Sequence, residues 1–359
     1  MRVTAFSAMG FRNLTVERCV PDEKVNIFWG DNAQGKTNLL EALWLFTGSR
    51  SFRGAKDREL RGFDAAQTAL SLNFFGEGRE QTADITIERA RQVTLNGVTL
   101  SSPSQMAGRF LGVVFSPAHM QLIKGGPEER RRFLDTAYCP LRPAYTETLL
   151  SYQKALRQRN ALLKSGCVDS LLLEPWDREL ANYGARIIAA RRAYIKRLRP
   201  AAEEIYRGLS QGKEPFSLEY MCALPQENTA QALYQALQNA HTADMQAGFT
   251  SVGPHREDLE VLVDGISAKS FGSQGQQRSA VLAIKLAEAR LLQEITGEAP
   301  VVLLDDVMSE LDPSRQEYIL NALSAWQVFI TCCDPAPLYR LCSGKAFEMK
   351  GGRLTETSV

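Results

Sequence analysis

Gly30-Asp31-Asn32-Ala33-Gln34-Gly35-Lys36-Thr37 follows directly on the apolar run Val25-Asn26-Ile27-Phe28-Trp29 and satisfies the spacing G-x-x-x-x-G-K-[ST]. A strand, a glycine-bearing turn and a helix in that order make a phosphate-binding loop. Gly30 and Gly35 let backbone N–H groups curl around phosphates, Lys36 reaches the β/γ oxygens, and the Thr37 hydroxyl is placed to ligate Mg²⁺. The spacing predicts a helix over 38–46, opening at Asn38, that aims its positive N-terminus at the same anion. A bare glycine-rich turn is the competing reading, and the strand before and helix after argue against it.

The chain has 359 residues, enough to bury a sizeable core and to make two domains. An apolar fraction of 44% and a charged fraction of 23% suit a soluble globular protein. No apolar run approaches the roughly 20 residues of a membrane span, and Met1-Arg2-Val3-Thr4-Ala5-Phe6 lacks a signal-peptide core, so a cytoplasmic protein is expected. Seven cysteines without a C-x-x-C pair point to reduced thiols rather than a disulfide framework or a zinc site. Neighbouring Cys332 and Cys333 read as strand filling.

Hydrophobic spacing divides the chain into three expected domains. Residues 1–120 are strand-like around the P-loop helix, with Asn96-Gly97 marking a hairpin turn. Residues 121–247 turn helical, with breaks at Pro140, Pro143, Ser165-Gly166 and Glu214-Pro215, and read as a helical insertion. Residues 248–359 return to strands and helices, including a helix over 273–294 and the strand Val301-Val302-Leu303-Leu304. The net charge is +1, but positions 121–200 hold sixteen Lys or Arg against eight Asp or Glu. The densest parts are Arg130-Arg131-Arg132 and the run 191–199, which spreads around a helix and reads equally as a solvated face or as a nucleic-acid contact.

Two further motifs carry chemistry. The apolar strand 301–304 ends in Asp305-Asp306, and a hydrophobic strand ending in Asp is where P-loop ATPases hold Mg²⁺, often through water. Asp305 takes that role, and Asp306 stands where a catalytic base orients the attacking water. Ser273-Gln274-Gly275-Gln276-Gln277-Arg278 opens a helix about 30 residues earlier, in the position of an ABC-type signature helix. Ser309-Glu310-Leu311-Asp312 matches the D-loop of the same proteins.

Gly10-Phe11-Arg12-Asn13-Leu14, the P-loop extended through Asn38-Leu39-Leu40-Glu41-Ala42, Lys124-Gly125 with Arg130-Arg131-Arg132-Phe133-Leu134-Asp135, Gly253-Pro254-His255-Arg256 and the Ser273 helix together resemble the RecF family. These are bacterial proteins of DNA replication, recombinational repair and the SOS response, related to the SMC and Rad50 ATPase heads. The resemblance extends over essentially the whole chain. It implies an α/β fold, an ABC-type P-loop ATPase head with an inserted α-helical domain. It implies ATP held by Arg12, Asn13, Asn32, Gly35, Lys36 and Thr37, with Mg²⁺ at Thr37 and Asp305. Ser273 and Gly275 would cap the γ-phosphate of a second subunit, so that ATP joins a homodimer into a clamp on duplex DNA near single-strand gaps. RecO and RecR would be the partners in loading recombinase, and slow hydrolysis through Asp306, Lys36 and Ser273 would release the clamp.

The chain departs from the pattern at three places. Glu257 replaces the usual Asp, Asp306 replaces the Glu of many ABC ATPases, and no histidine follows His255, so Thr331 and Asp334 become the candidates for sensing the γ-phosphate. Arg50, Arg53, Lys56 and the basic helices of the insertion are the candidate DNA contacts. A transporter ATPase lacks support, since the switch histidine is missing. A Rad50-like or SMC-like coiled coil lacks room, since only 235 residues separate Thr37 from Ser273. A nucleotide-stabilised, non-hydrolysing scaffold that recruits repair partners is the alternative function.

Overall fold

The computed structural model describes residues 1–165 and 170–357, so Gly166 of the expected Ser165-Gly166 break lies outside the described residues. The chain forms two compact units. The first comprises 1–120, 205–212 and 281–359, and the second 121–204 and 213–280.

Two six-stranded sheets build the first unit. One is antiparallel, in the order Leu14–Cys19, Arg2–Phe11, Thr68–Gly76, Arg79–Ile87, Arg91–Leu95, Val98–Thr99. Asn96 and Gly97 both adopt positive φ at its last hairpin, as an Asn-Gly turn requires. The other runs Arg353–Thr357, Gly344–Lys350, Val25–Trp29, Val328–Cys332, Val301–Asp305, Gly112–Phe115, and all its strands but the first are parallel. Its central strands are buried on both faces, which is why they read as continuous apolar runs. Phe28 stacks between Phe329 and Phe347 at 5.9 and 5.1 Å, tying three neighbouring strands together.

The helix Lys36–Leu45 packs against strands of both sheets, so Leu39, Leu40, Ala42, Leu43 and Leu45 are all buried. A helix enclosed on all sides must be apolar all round, and Glu41 is its one enclosed carboxylate. Buried Gln327 stitches the sheets: its Oε1 accepts from Val3 N at 2.7 Å, while its Nε2 donates to Val3 O and Asp22 O.

The second unit is helical, with Pro127–Tyr138, Pro143–Lys164 and most of Ser170–Leu209 as its long elements. It also carries a three-stranded sheet, Ile266–Ser267, Asp258–Val263, Phe216–Met221. The pairing of Phe216–Met221 with Asp258–Val263 crosses position 247, so by contact the segment 248–280 groups with the helices rather than with the second ATPase half. Phe216–Met221 lies among helix-patterned residues, and its six positions are too few to announce a strand.

Ion pairs organise this unit. Fully buried Arg159 donates to Asp177 at 2.7 Å, to Asp244 at 2.6 Å and to Thr250 at 2.9 Å. Arg130 grips Asp258 with two bonds of 2.7 and 2.8 Å, Arg131 donates to Glu257 O, and Arg191 joins Asp135 to Pro254 O. Gly253 adopts φ +129, and a Cβ there would lie 2.5 Å from the Tyr152 hydroxyl. That hydroxyl bonds His255 Nδ1 at 2.7 Å, and His255 Nε2 donates to Thr250 O at 3.0 Å. The Gly-Pro-His-Arg stretch is therefore a folded turn clamped from several sides.

Burial holds the His255 imidazole neutral and lowers its pKa from 6.5 to about 4. A depressed histidine pKa means the unfolded chain takes up the proton first, so stability is lost as pH falls from the unfolded value toward the folded one. The urea midpoint of the protein is expected to fall between about pH 7 and about pH 4.5, and His255→Gln, which keeps one donor and one acceptor, to flatten that slope. An unchanged slope in the variant refutes this origin of the acid sensitivity.

Candidate functional site

Parallel register brings the chemistry to one end of the second sheet. Asp305 pairs with Thr331, and Cys332 pairs with Trp29, so the C-termini of three adjacent strands open at the same edge. Loops at the carboxyl ends of parallel strands are where α/β folds bind ligands.

The P-loop leaves Trp29 through Gly30, whose φ of +144 and lack of Cβ let the backbone pass Met349 O. Gly35, at φ +119, caps the helix and lies against Asn13. The helix starts at Lys36, two residues before the predicted start, because Lys36 and Thr37 supply its first turn and leave their N–H groups facing the loop. Gln34 is pinned from outside, its carbonyl accepting from Gly352 N at 2.9 Å and from Asn13 Nδ2 at 3.1 Å. Lys36 Nζ folds back to Gly30 O at 2.5 Å and Asp31 O at 2.8 Å, and lies 3.8 Å from Cys333 Sγ. Cys333 is exposed past the strand end and reaches Asn32 Oδ1 at 3.3 Å, so only Cys332, the buried neighbour, fills the strand as expected.

Thr37 Oγ1 donates to Asp305 Oδ1 at 2.7 Å. Asp305 is almost fully buried, and burial raises its pKa while bonds from Thr37 and Thr331 pull it down. Thr331, itself buried, lies 3.0 Å from Asp305 Oδ1 and accepts from the Asp306 N–H at 2.9 Å. Its hydroxyl is thus engaged inside the strand edge and positions Asp305 rather than facing outward as a sensor. Asp334 caps the turn ahead of it, accepting from Ala336 N. Asp306 adopts φ +52, and its carboxylate accepts from Ser309 Oγ at 2.9 Å.

Arg12 and Asn13 reach the loop from the antiparallel sheet. Arg12 donates to both oxygens of buried Glu41, at 2.5 and 3.1 Å, and Ser51 Oγ donates to the same carboxylate. Asn13 Oδ1 accepts from Asn38 Nδ2 at 2.8 Å, and Arg53 Nη1 donates to Asn38 Oδ1 at 2.9 Å. Arg53 therefore belongs to the P-loop surroundings as well as to the candidate DNA contacts. Sequence reasoning missed the anchoring roles of Glu41, Gln34 and Thr331. Glu41 alone had a signal, a carboxylate inside the otherwise apolar run 39–45.

Arg12, Asn13, the P-loop, Asp305 and Asp306 thus share one edge of the first unit. Ser273 and Gly275 belong to the second unit. Ser273 is exposed and forms a capping box with Gln276: its N–H donates to Gln276 Oε1 at 2.7 Å and its Oγ accepts from Gln276 N at 3.2 Å. Gln276 Nε2 is held by Glu214 at 2.6 Å.

No protein-family model matches the chain. Among curated proteins it is 36% identical to DNA replication and repair protein RecF of Clostridium acetobutylicum, covering 96% of this chain and 97% of that one. It is 38% identical to the protein of the same name from Syntrophotalea carbinolica, covering 99% of each. A solved structure described as the recombination mediator protein RecF with ATP, in the RecFOR pathway, superposes with a TM-score of 0.92 at 35% identity, covering 99% and 98%. An Smc head domain from Pyrococcus furiosus, at 15% identity and a TM-score of 0.58, shares the fold. The fold is that of an ABC-type ATPase head, and on identity and coverage the chain belongs to the RecF family.

Proposed function

We propose that this chain is an ATP-dependent protein of DNA replication and recombinational repair, in which ATP joins two heads into a clamp on DNA and slow hydrolysis opens it. The observation that carries this is the 2.7 Å contact between Thr37 and Asp305, which puts the hydroxyl of one motif against the carboxylate of the other beside the P-loop. A hydroxyl and a carboxylate are hard oxygen donors of the kind Mg²⁺ takes, with phosphate oxygens and water completing its shell. When bound, the ion would neutralise charge developing between the β- and γ-phosphates.

The chain's own groups do the rest. Backbone N–H groups from 30 to 37 and Lys36 hold phosphate oxygens, and release of Lys36 from Gly30 O and Asp31 O frees its ammonium for them. Arg12, Asn13, Asn32 and Asn38 border the same nucleotide. Asp306 orients the attacking water, and its short arm, tied to Ser309, makes turnover slow. Ser273 and Gly275 act in trans on the partner's γ-phosphate, so in function the signature belongs with the ATPase half 248–359 and segment 121–247 is the insertion. A ligand drives dimerisation only by binding the dimer more tightly than the monomer, and a γ-phosphate contacted by both heads supplies that difference. RecO and RecR are the proposed partners. Among the described residues no helix is long and apolar enough to cross a membrane, and we place the protein in the cytoplasm with its DNA.

Anisotropy of a labelled gapped duplex is expected to rise with ATP and not with ADP, and Asp306→Asn is expected to stay bound with ATP for much longer than wild type. Binding that ignores nucleotide, or a variant that behaves as wild type, favours a scaffold in which ATP is structural.

Asp305 yields a second test. Its raised pKa means that the ionised carboxylate costs stability, a cost absent below the unfolded pKa of about 4 and present once pH has risen through the folded value. Asp305→Asn is therefore expected to melt higher than wild type at neutral pH without nucleotide, by about 2–4 °C per kcal/mol relieved, and to lose the stabilisation that ATP with Mg²⁺ gives wild type. Thr331→Val should weaken the same nucleotide stabilisation and Thr331→Ser should restore it. A variant at 305 that melts no higher, or a valine at 331 with full nucleotide response, contradicts the assignment.

A further inference from the structure

The basic residues of segment 121–200 divide by partner. Arg130, Arg131, Arg159 and Arg191 are engaged inside the unit by carboxylates and carbonyls. Arg192, Lys196 and Arg199 are different. Spaced by four and then three residues on the helix Ser170–Leu209, they share one face, and with Ile195 and Tyr220 they line a cavity of about 250 Å³.

None of these three cations has a carboxylate within ion-pair distance among the described residues. Arg192 donates instead to Pro225 O at 3.0 Å, to Leu224 O and to Cys222 Sγ. Lys196 is exposed, and Arg199 Nε is buried without a hydrogen-bond partner. Three cations outside any ion pair around a concavity raise the local concentration of anions, and an orphaned buried donor lacks the acceptor that an anion supplies. The cavity wall is fixed, because the Tyr220 hydroxyl donates to Glu257 Oε2. Glu257 rather than Asp gives the arm that reaches it.

From Arg192 to Arg199 the helix rises by about 10 Å, too long for one phosphate group and suited to neighbouring phosphates of a strand. Ile195 and the Tyr220 ring offer apolar surface between the cations, and the five lining residues include no Asn or Gln to pair with a base edge. We propose that this face seats consecutive backbone phosphates of a nucleic-acid strand, without reading sequence. The proposal rests on the DNA-binding function above and assigns the contact to a particular helix face.

The test measures binding of a labelled gapped duplex with ATP at several salt concentrations, for wild type, Lys196→Gln, Arg199→Gln and the double variant. A fluorescent ATP analogue is titrated alongside. Each substitution should lower the slope of log affinity against log salt by about 0.9, and affinity at fixed salt by roughly three- to tenfold, with analogue binding unchanged. Lys196 is exposed, so its variant keeps the fold and carries the test if Arg199→Gln does not. Equal slopes for wild type and variants that all bind DNA overturn the assignment. A poly-glutamate peptide bound by wild type and not by the double variant, with the DNA slope unchanged, overturns it in favour of an acidic protein partner. Wild type that binds no DNA in any nucleotide state removes the DNA reading itself.

Discussion

One hydroxyl–carboxylate contact organises the first unit: Thr37 on the P-loop helix donates to Asp305 at the end of a strand 268 residues later in the chain. That contact exists only because the strands Val25–Trp29, Val328–Cys332 and Val301–Asp305 lie parallel and in register. A slip of one residue would turn Asp305 to the other face of the sheet and part it from the loop. The stacked Phe28, Phe329 and Phe347, and Gln327 between the sheets, are the groups that resist such a slip. Thr331 then bridges the Asp305 carboxylate and the Asp306 N–H, so one hydroxyl orients both acids.

The second unit solves a different problem, holding many like charges in a helical body. Its answer is to bury arginine with paired acids. Breaking such a pair on one side leaves a buried charge uncompensated and costs about 3–5 kcal/mol. Arg159 with Asp177 and Asp244, and Arg191 with Asp135, fasten four helices, the short His241–Ala247 among them, to the turn around Thr250 and Pro254. Two stretches that resemble RecF, 124–135 and 253–256, are therefore joined through space by Arg191. Their chemistry is in part that of a scaffold: Arg130 is buried against Asp258 and Asp135 is held by Arg191, while Lys124 and Arg132 face solvent.

The sequence was most readable where a residue's role is local. The P-loop spacing, the strand 25–29, the Asn-Gly hairpin and the apolar strand ending in Asp305 follow from turn chemistry and short-range pattern, and all stand in the structure. What was not readable depends on distant partners. The strand Phe216–Met221 forms by pairing with residues some forty positions on, and Gly344–Lys350 by joining the parallel sheet beside Val25–Trp29. The basic run 191–199 shows the same limit. Its residues look dispersed by sequence, yet Arg191 turns inward to Asp135, while Arg192, Lys196 and Arg199 gather on one cavity.

The departure at Asp306 gains a physical reason from its backbone. At φ +52 the residue lies in the left-handed region, where a short polar side chain is favoured because it closes local hydrogen bonds, although Arg12, Glu77 and Gln211 adopt the same region in this chain. Asp306 makes such a bond, with Ser309 donating to its carboxylate and to its own carbonyl at 2.9 and 3.0 Å. A glutamate, one methylene longer, would have to close the same bond with Ser309 through a longer arm. That bond occupies Oδ1 of the carboxylate and leaves Oδ2 to accept a further donor. The left-handed turn and the Ser309 bond together hold the Asp306 carboxylate at the strand end, next to the Asp305 carboxylate that Thr37 and Thr331 fix.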